Sequence, residues 1–203
     1  MGGCEVIDDI FDEPDDATPL SEEEKQGLIP SYISTRAELN QAEQKNIVKA
    51  EIWAFTKKRN PLDVAFLKEL HKKMYGDVWE WAGEFRKSER NIGIEAYRIE
   101  PELQQLVGDT QYQVGHESFP PDEIAARFHH RLVLIHPFPN GNGRHSRLAT
   151  DILLKYLGAE RFTWGAGDLA AKGEIRSKYI AALQAADKHD YSPLMNFVRS
   201  GKN

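Results

Sequence analysis

The sequence predicts an all-α fold, a helical bundle interrupted by one β-hairpin. Three observations carry this. From about residue 36, Leu39, Ala42, Asn46, Ile47, Ala50, Trp53 and Ala54 recur at three- and four-residue spacing, up to Lys57-Lys58-Arg59. Val64, Leu67, Leu70 and Met74 then form a second stripe that ends at Gly76. Only residues 83–99, with Gly83, Gly93 and the alternation of Ile92 and Ile94, break the helical period and suggest a hairpin or an extended loop.

The individual elements follow from their start and stop signals. The basic run at 57–59 suits a helix C-terminus, where the backbone dipole is negative. Asn60 is expected to cap the next helix, with Pro61 at its first position. Pro101, Pro121 and Pro193 each suit a first helical turn, so helices are expected near 101–115, 121–136 and 193–200. Two more are expected at about 143–157, from Leu148, Ile152, Leu153 and Tyr156, and at about 169–187, from Leu169, Ile175, Tyr179, Ala182 and Leu183.

The chain has 203 residues and a formal charge of −6, unevenly spread. Residues 1–24 hold ten acids and no base, so the other 26 bases and 22 acids give residues 25–203 a net charge of +4. Residues 1–17 carry seven acids against Val6, Ile7, Ile10 and Phe11, a composition expected to be disordered. The expected organisation is an acidic N-terminal arm over 1–35 and a main helical domain over 36–203. No apolar run approaches the ~20 residues of a membrane span, no secretory leader is seen, and Cys4 is the only cysteine. A cytoplasmic protein with no membrane partner is expected. The absence of a basic stripe with interleaved aromatics argues against a nucleic-acid partner.

Chemistry concentrates in Ile135-His136-Pro137-Phe138-Pro139-Asn140-Gly141-Asn142-Gly143-Arg144-His145-Ser146-Arg147. A striped helix (Ile124, Phe128, Leu132, Ile135) delivers His136 to its end, and Pro137 pushes His136 out of the helical region. Gly141 and Gly143 bracket Asn142 and permit positive φ, so that successive N–H groups can form an anion nest at the start of the next helix. Arg144 and Arg147, three apart, can add guanidinium donors to phosphate oxygens. A neutral imidazole at His136 can take a hydroxyl proton, and the Asn140 amide oxygen can sit on Mg²⁺. No P-loop, dinucleotide fingerprint or His-Glu-x-x-His spacing is present, and His129 and His130 read as packing or surface residues. Trp164 and Tyr179 could stack on a base, with a core or surface role favoured for both.

At these residues the sequence resembles the Fic family of protein adenylyltransferases, whose signature is His-Pro-Phe-x-Asp/Glu/Asn-Gly-Asn-Gly-Arg, commonly with a second Arg three residues later. The resemblance extends over roughly 40–200, including Trp81-Ala82-Gly83-Glu84-Phe85-Arg86, which in the family leads into a flap over the active site. The Thr35-Arg36-Ala37-Glu38-Leu39-Asn40 segment is similar to the small bacterial branch called mobile mystery protein B.

The resemblance implies a Fic-like helical bundle with one hairpin flap. It also implies AMP transfer from ATP to a Ser, Thr or Tyr hydroxyl of a target protein, with His136 and Arg144 as catalytic residues. Phe138, Gly141, Asn142, Gly143, Arg144 and Arg147 would hold the nucleotide and Asn140 would hold Mg²⁺. The flap, about 89–98, would dock the target by strand addition. Related alternatives are a Doc-like phosphotransferase, whose branch typically has Lys where this chain has Gly143, and a non-catalytic nucleotide-sensing or toxin–antitoxin binding domain. Many active members carry a carboxylate at the Asn140 position. Family members are often self-inhibited by a helix whose Glu pairs with the second motif Arg, here Arg147. This chain has no intact copy of that helix motif, and the nearest candidate is the segment 18–27. An intramolecular inhibitory helix or an antitoxin is therefore the expected regulatory partner.

Overall fold

The structure is a computed structural model that describes residues 21–166, 169 and 173–201. Eight α-helices are found among the described residues: α1 (Glu22–Gln26), α2 (Arg36–Phe55), α3 (Val64–Tyr75), α4 (Ile99–Gly115), α5 (Pro121–Ile135), α6 (Asn142–Leu157), α7 (Glu174–Ala186) and α8 (Ser192–Arg199). Short 3-10 turns lie at Ala96–Arg98 and Trp164–Ala166. Residues 1–20, with Cys4 and the acidic arm, lie outside the described residues, as do 170–172 within the helix expected over 169–187. No described helix is long and apolar enough to cross a membrane.

The helix ends follow local chemistry. Thr35 caps α2 through a capping box with Glu38, and past its other end Arg59 donates to the Trp53 carbonyl and lies 3.7 Å from the centre of the Trp53 ring. The start expected for α3 is corrected. Asn60 Oδ1 accepts from the Leu62 amide in a local turn, and Asp63 is the cap, accepting from Ala65. Burial of Leu62 in the core keeps residues 61–62 out of the helix, so the helix begins only at Val64.

The core runs along α3, α5 and α6. Leu67, Leu70 and Met74 of α3 and Phe128, Leu132 and Ile135 of α5 meet Ile152, Leu153 and Leu154 of α6, all essentially inaccessible to solvent. α5 packs on both α4 and α6, while α2 packs on α3. One face of α2 is polar where it meets the turn after α3: Asn46 donates to the Lys73 carbonyl and accepts from the Asp77 amide, and Glu43 accepts from Trp79 Nε1.

The expected hairpin at 83–99 is absent. Residues 84–95 form an irregular loop with no strand, and the single bridge among the described residues pairs Leu28 with Trp79. Side chains occupy backbone groups that a ladder would use: Arg86 donates to the Ser88 and Ile94 carbonyls, and Glu89 accepts from the Ala96 amide. The stretch after α1 lies against the root of this loop. Ile29 donates to the Val78 carbonyl, Glu80 donates to that of Gly27, and Trp81 Nε1 donates to that of Glu24.

Replacing Asp63 by Ala should lower the unfolding free energy by about 1 kcal/mol, the usual worth of an N-cap. A urea denaturation midpoint equal to that of the wild type would show that the cap lies elsewhere.

Candidate active site

α5 delivers His136 as expected, but the residue turns further than a pre-proline residue needs to. It adopts the left-handed conformation, φ 53° and ψ 61°, which costs a non-glycine residue about 1–2 kcal/mol. Hydrogen bonds hold it there. Arg86 Nε donates to the His136 carbonyl at 2.7 Å, the Arg86 amide donates to the Pro137 carbonyl at 2.9 Å, and Arg86 Nη2 reaches the Ile135 carbonyl at 3.4 Å.

The next turn is built on buried rings. Phe138 is fully buried and stacks on His71 with centroids 3.8 Å apart, so it anchors the turn and is covered, not open to the nucleotide that the resemblance has it hold. The Gly83 amide donates to His71 Nδ1, so the ring proton sits on Nε2 and is donated to the Asn140 carbonyl at 3.0 Å. The side chain of Asn142 is turned inward, accepting from the Phe138 amide and donating to the Phe138 carbonyl, so it braces the loop.

Of the two glycines only Gly141 has positive φ, 78°, where a Cβ would lie 2.5 Å from the Tyr75 ring. Gly143 is helical, which corrects the expectation of two left-handed residues. It lies in the first turn of α6, and a Cβ there would meet nothing nearer than Arg147 Nη1 at 3.7 Å. The start of α6 therefore presents its backbone N–H groups beside an open position.

The arginines flank this turn. Arg144 Nη1 donates to Glu43 Oε2 at 2.7 Å, and Glu43 is buried. Arg147 is half-buried against the Tyr179 hydroxyl, and burial lowers its pKa. Asn140 Oδ1 accepts from the Gly141 amide at 2.5 Å, and no group of three His, Cys, Asp or Glu residues that could hold a metal occurs among the described residues. Asn140 thus offers a metal one neutral oxygen.

Of the segment expected to inhibit, residues 18–20 lie outside the described residues. In the rest, Glu22 pairs with Lys25 and Glu24 pairs with Arg90 of the flap loop. Trp164 and Tyr179 have core roles, Trp164 donating to Asp151 and Tyr179 bonding His129. His130 packs against Asp187, as expected of a structural histidine.

Sequence reasoning missed Arg86, His71, Tyr75, Glu43 and His145. His71 and Tyr75 carried a signal, since they follow Leu67 at successive four-residue steps and so share its buried face. Arg86 ends the Trp81–Arg86 segment that the resemblance places before a flap, but no pattern gives it a role, and nothing marks Glu43 at all.

His136 is the titratable group that matters most. Burial, then the nearby Arg86 and Arg90, bring its pKa down to about 4, so the imidazole is neutral at physiological pH. His145 lies at about 4 and His129 at about 3, both mainly through burial, and His71 is lowered well below the ordinary value by the same cause.

The fold and site define an all-α domain in which a neutral histidine ends one helix beside a glycine-containing turn that starts the next. Residues 61–154 match the Fic/DOC family model. It is 31% identical over 134 residues to the protein adenylyltransferase Fic of Aedes aegypti, and 32% identical over 134 residues to that of Drosophila virilis. Each match takes in 64% of this chain and 26% of the relative, so the chain spans about a quarter of the length of these proteins. Among solved structures, the BepC protein of Bartonella tribocorum with bound AMPPNP superposes with a TM-score of 0.65 at 21% identity, covering 88% of this chain and 97% of that one. Fic-1 of C. elegans gives 0.61 at 24% identity, covering 86% and 56%.

Because folding lowers the pKa of all four histidines, their neutral forms contribute stability that is fully present above about pH 6.5 and is lost as the pH falls toward the folded values. Asp151, raised by burial, acts in the opposite sense. The denaturation midpoint should therefore fall as the pH drops from 6.5 to 4, and the His136 ring resonances should titrate near pH 4. A midpoint near 6.5 for His136 would show that the ring is solvated.

Proposed function

We propose that the domain transfers AMP from ATP to a Ser, Thr or Tyr hydroxyl of a target protein and releases pyrophosphate. The observation that carries this reading is a neutral His136, held by its backbone, beside the glycine turn at the start of α6. The adenylyltransferase relatives and the AMPPNP held by BepC support it at the level of the family.

In this reading His136 accepts the hydroxyl proton, the oxygen forms a bond to the α-phosphorus, and the bond to the bridging oxygen breaks so that its electron pair leaves on pyrophosphate. Phosphate charge is received by the N-terminus of α6, with Asn142 and Gly143 supplying backbone N–H groups, while that of Gly141 is already given to Asn140 Oδ1. Phe138 keeps the turn seated. Arg144 and Arg147 reach toward the distal phosphates, Arg144 with donors beyond the one given to Glu43. Asn140 would hold Mg²⁺ through its side-chain oxygen, and the ion would supply screening of the phosphate charge. A Cβ at Gly143 would meet only Arg147 Nη1 within 4 Å, and that openness supports AMP transfer over the phosphate transfer of a Doc-like enzyme.

The loop at 89–98 is the docking segment in this reading, with Ile92 and Tyr97 exposed to meet a target. A target segment would pair with loop backbone groups other than the Ser88 and Ile94 carbonyls and the Ala96 amide, which side chains already hold. The setting is cytoplasmic, with ATP at hand. Restraint comes from the N-terminal segment or from an antitoxin-like partner covering the same cationic ground.

Incubation with ATP followed by mass spectrometry should show AMP on protein hydroxyls. His136→Ala should reduce the labelling rate by a factor of about 10²–10⁴, the usual worth of a general base. An added phosphate in place of AMP would assign the Doc-like reaction, and no adduct with a folded wild-type protein would favour a binding domain.

A further inference from the structure

We infer that Arg86 is a positioning residue that holds the base His136 and the flap loop in one register, so that a docked hydroxyl meets a base already in place. This rests on the reading of His136 as the base. Arg86 is only 2% exposed, and among the described residues no carboxylate lies within ion-pair distance of its guanidinium. Its donors go to main-chain carbonyls on two sides. On the flap side are Ser88, at 3.0 Å from Nη1, and Ile94, which takes Nη2. On the catalytic side are His136, at 2.7 Å from Nε, and Ile135, at 3.4 Å from Nη2.

A buried guanidinium is costly to desolvate, and its planar fork of donors suits acceptors fixed in several directions at once. Lysine offers one nitrogen and cannot reproduce that arrangement. The two sides also meet directly. Gly93 has φ 95°, and a Cβ there would lie 2.7 Å from His136 Cβ and 2.9 Å from Arg86 Nη2. The flap backbone therefore rests on the root of the His136 side chain, with Arg86 as the tie between them. The charged groups around it are Arg90, which pairs with Glu24 of α1, and Glu89 beside the guanidinium.

Two variants of the full chain test this, Arg86→Lys and Gly93→Ala, each read by amide hydrogen exchange, by MgATP binding and by the self-labelling rate with labelled ATP. In Arg86→Lys, exchange at 88–94 and at 136–138 should rise by about tenfold or more as local opening becomes easier. The maximal labelling rate should fall by about a hundredfold, the scale of a misplaced catalytic group, while the KM for ATP and the affinity for MgATP stay within about twofold. Gly93→Ala should raise exchange at 88–94 and lower the maximal rate with the same unchanged nucleotide affinity, which keeps the test open if Arg86→Lys does not fold. Wild-type exchange and wild-type rate in either variant would overturn the inference, as would loss of MgATP affinity in step with the rate in both. If the wild-type protein labels nothing, the adenylylation reading falls, and the exchange data still decide whether Arg86 ties the flap to residues 135–138.

Discussion

The ground on which the site stands is the contact between α3 and the turn at 138–141. His71 is fully buried, its ring sandwiched against Phe138, with one nitrogen accepting from Gly83 and the other donating to Asn140. One turn further along α3, the Tyr75 ring fills the space that a Gly141 side chain would need. A protonated His71 would lose its acceptor at Nδ1, and a deeper burial of the turn would drive Gly141 into Tyr75. The position of the anion-binding backbone is thus set by two side chains one helical turn apart, on a helix whose remaining buried face is ordinary core. Ring contacts surround His71, His145 and His129, and desolvation is the first cause of the lowered pKa of these three and of His136, to which Arg86 and Arg90 add.

The same dryness governs the cations. Arg90 is matched by Glu24 and Arg144 by Glu43, each carboxylate coming from a helix N-terminal to the catalytic segment. The excess of positive charge in residues 25–203 is therefore not simply displayed at the site, since part of it is locally compensated there. Buried ion pairs of this kind gain little net stability, because desolvation offsets most of the attraction, but breaking one leaves an uncompensated charge. They fix geometry, and here they fix the flap to α1 and the first motif arginine to α2.

Much of this was legible in the residues alone. The stripe ending at Ile135, the proline after His136 and the glycines before Arg144 encode a helix, a turn and a helix, because periodicity and local backbone chemistry act over a few residues. The supporting residues were not. Glu43 is 101 positions from Arg144, and Arg86 is 50 from His136, so their roles exist only once tertiary packing brings the segments together. The hairpin expected at 83–99 failed on the same ground. Alternation of Ile92 and Ile94 is a local signal, and it lost to Arg86 and Glu89, whose side chains take the backbone groups that strand pairing requires. Asn60 misled locally as well, since Asn and Asp cap turns and helices alike and the burial of Leu62 decided between them.

Asn140 closes the electrostatic argument. A carboxylate at that position would bring a negative charge to the loop and a hard anionic oxygen to a divalent ion, whereas the amide brings a neutral oxygen that already accepts from the Gly141 amide. Attraction for phosphate then falls on the α6 terminus and the two arginines. Arg144 shares its charge with the buried Glu43, while among the described residues the partner of Arg147 is a neutral phenol, with Tyr179 pushed up to about 12 by burial. Arg147 Nη1 also lies closest to the open position at Gly143. Of the two guanidinium groups, Arg147 is the less compensated by a carboxylate among the described residues and the nearer to the open position at Gly143.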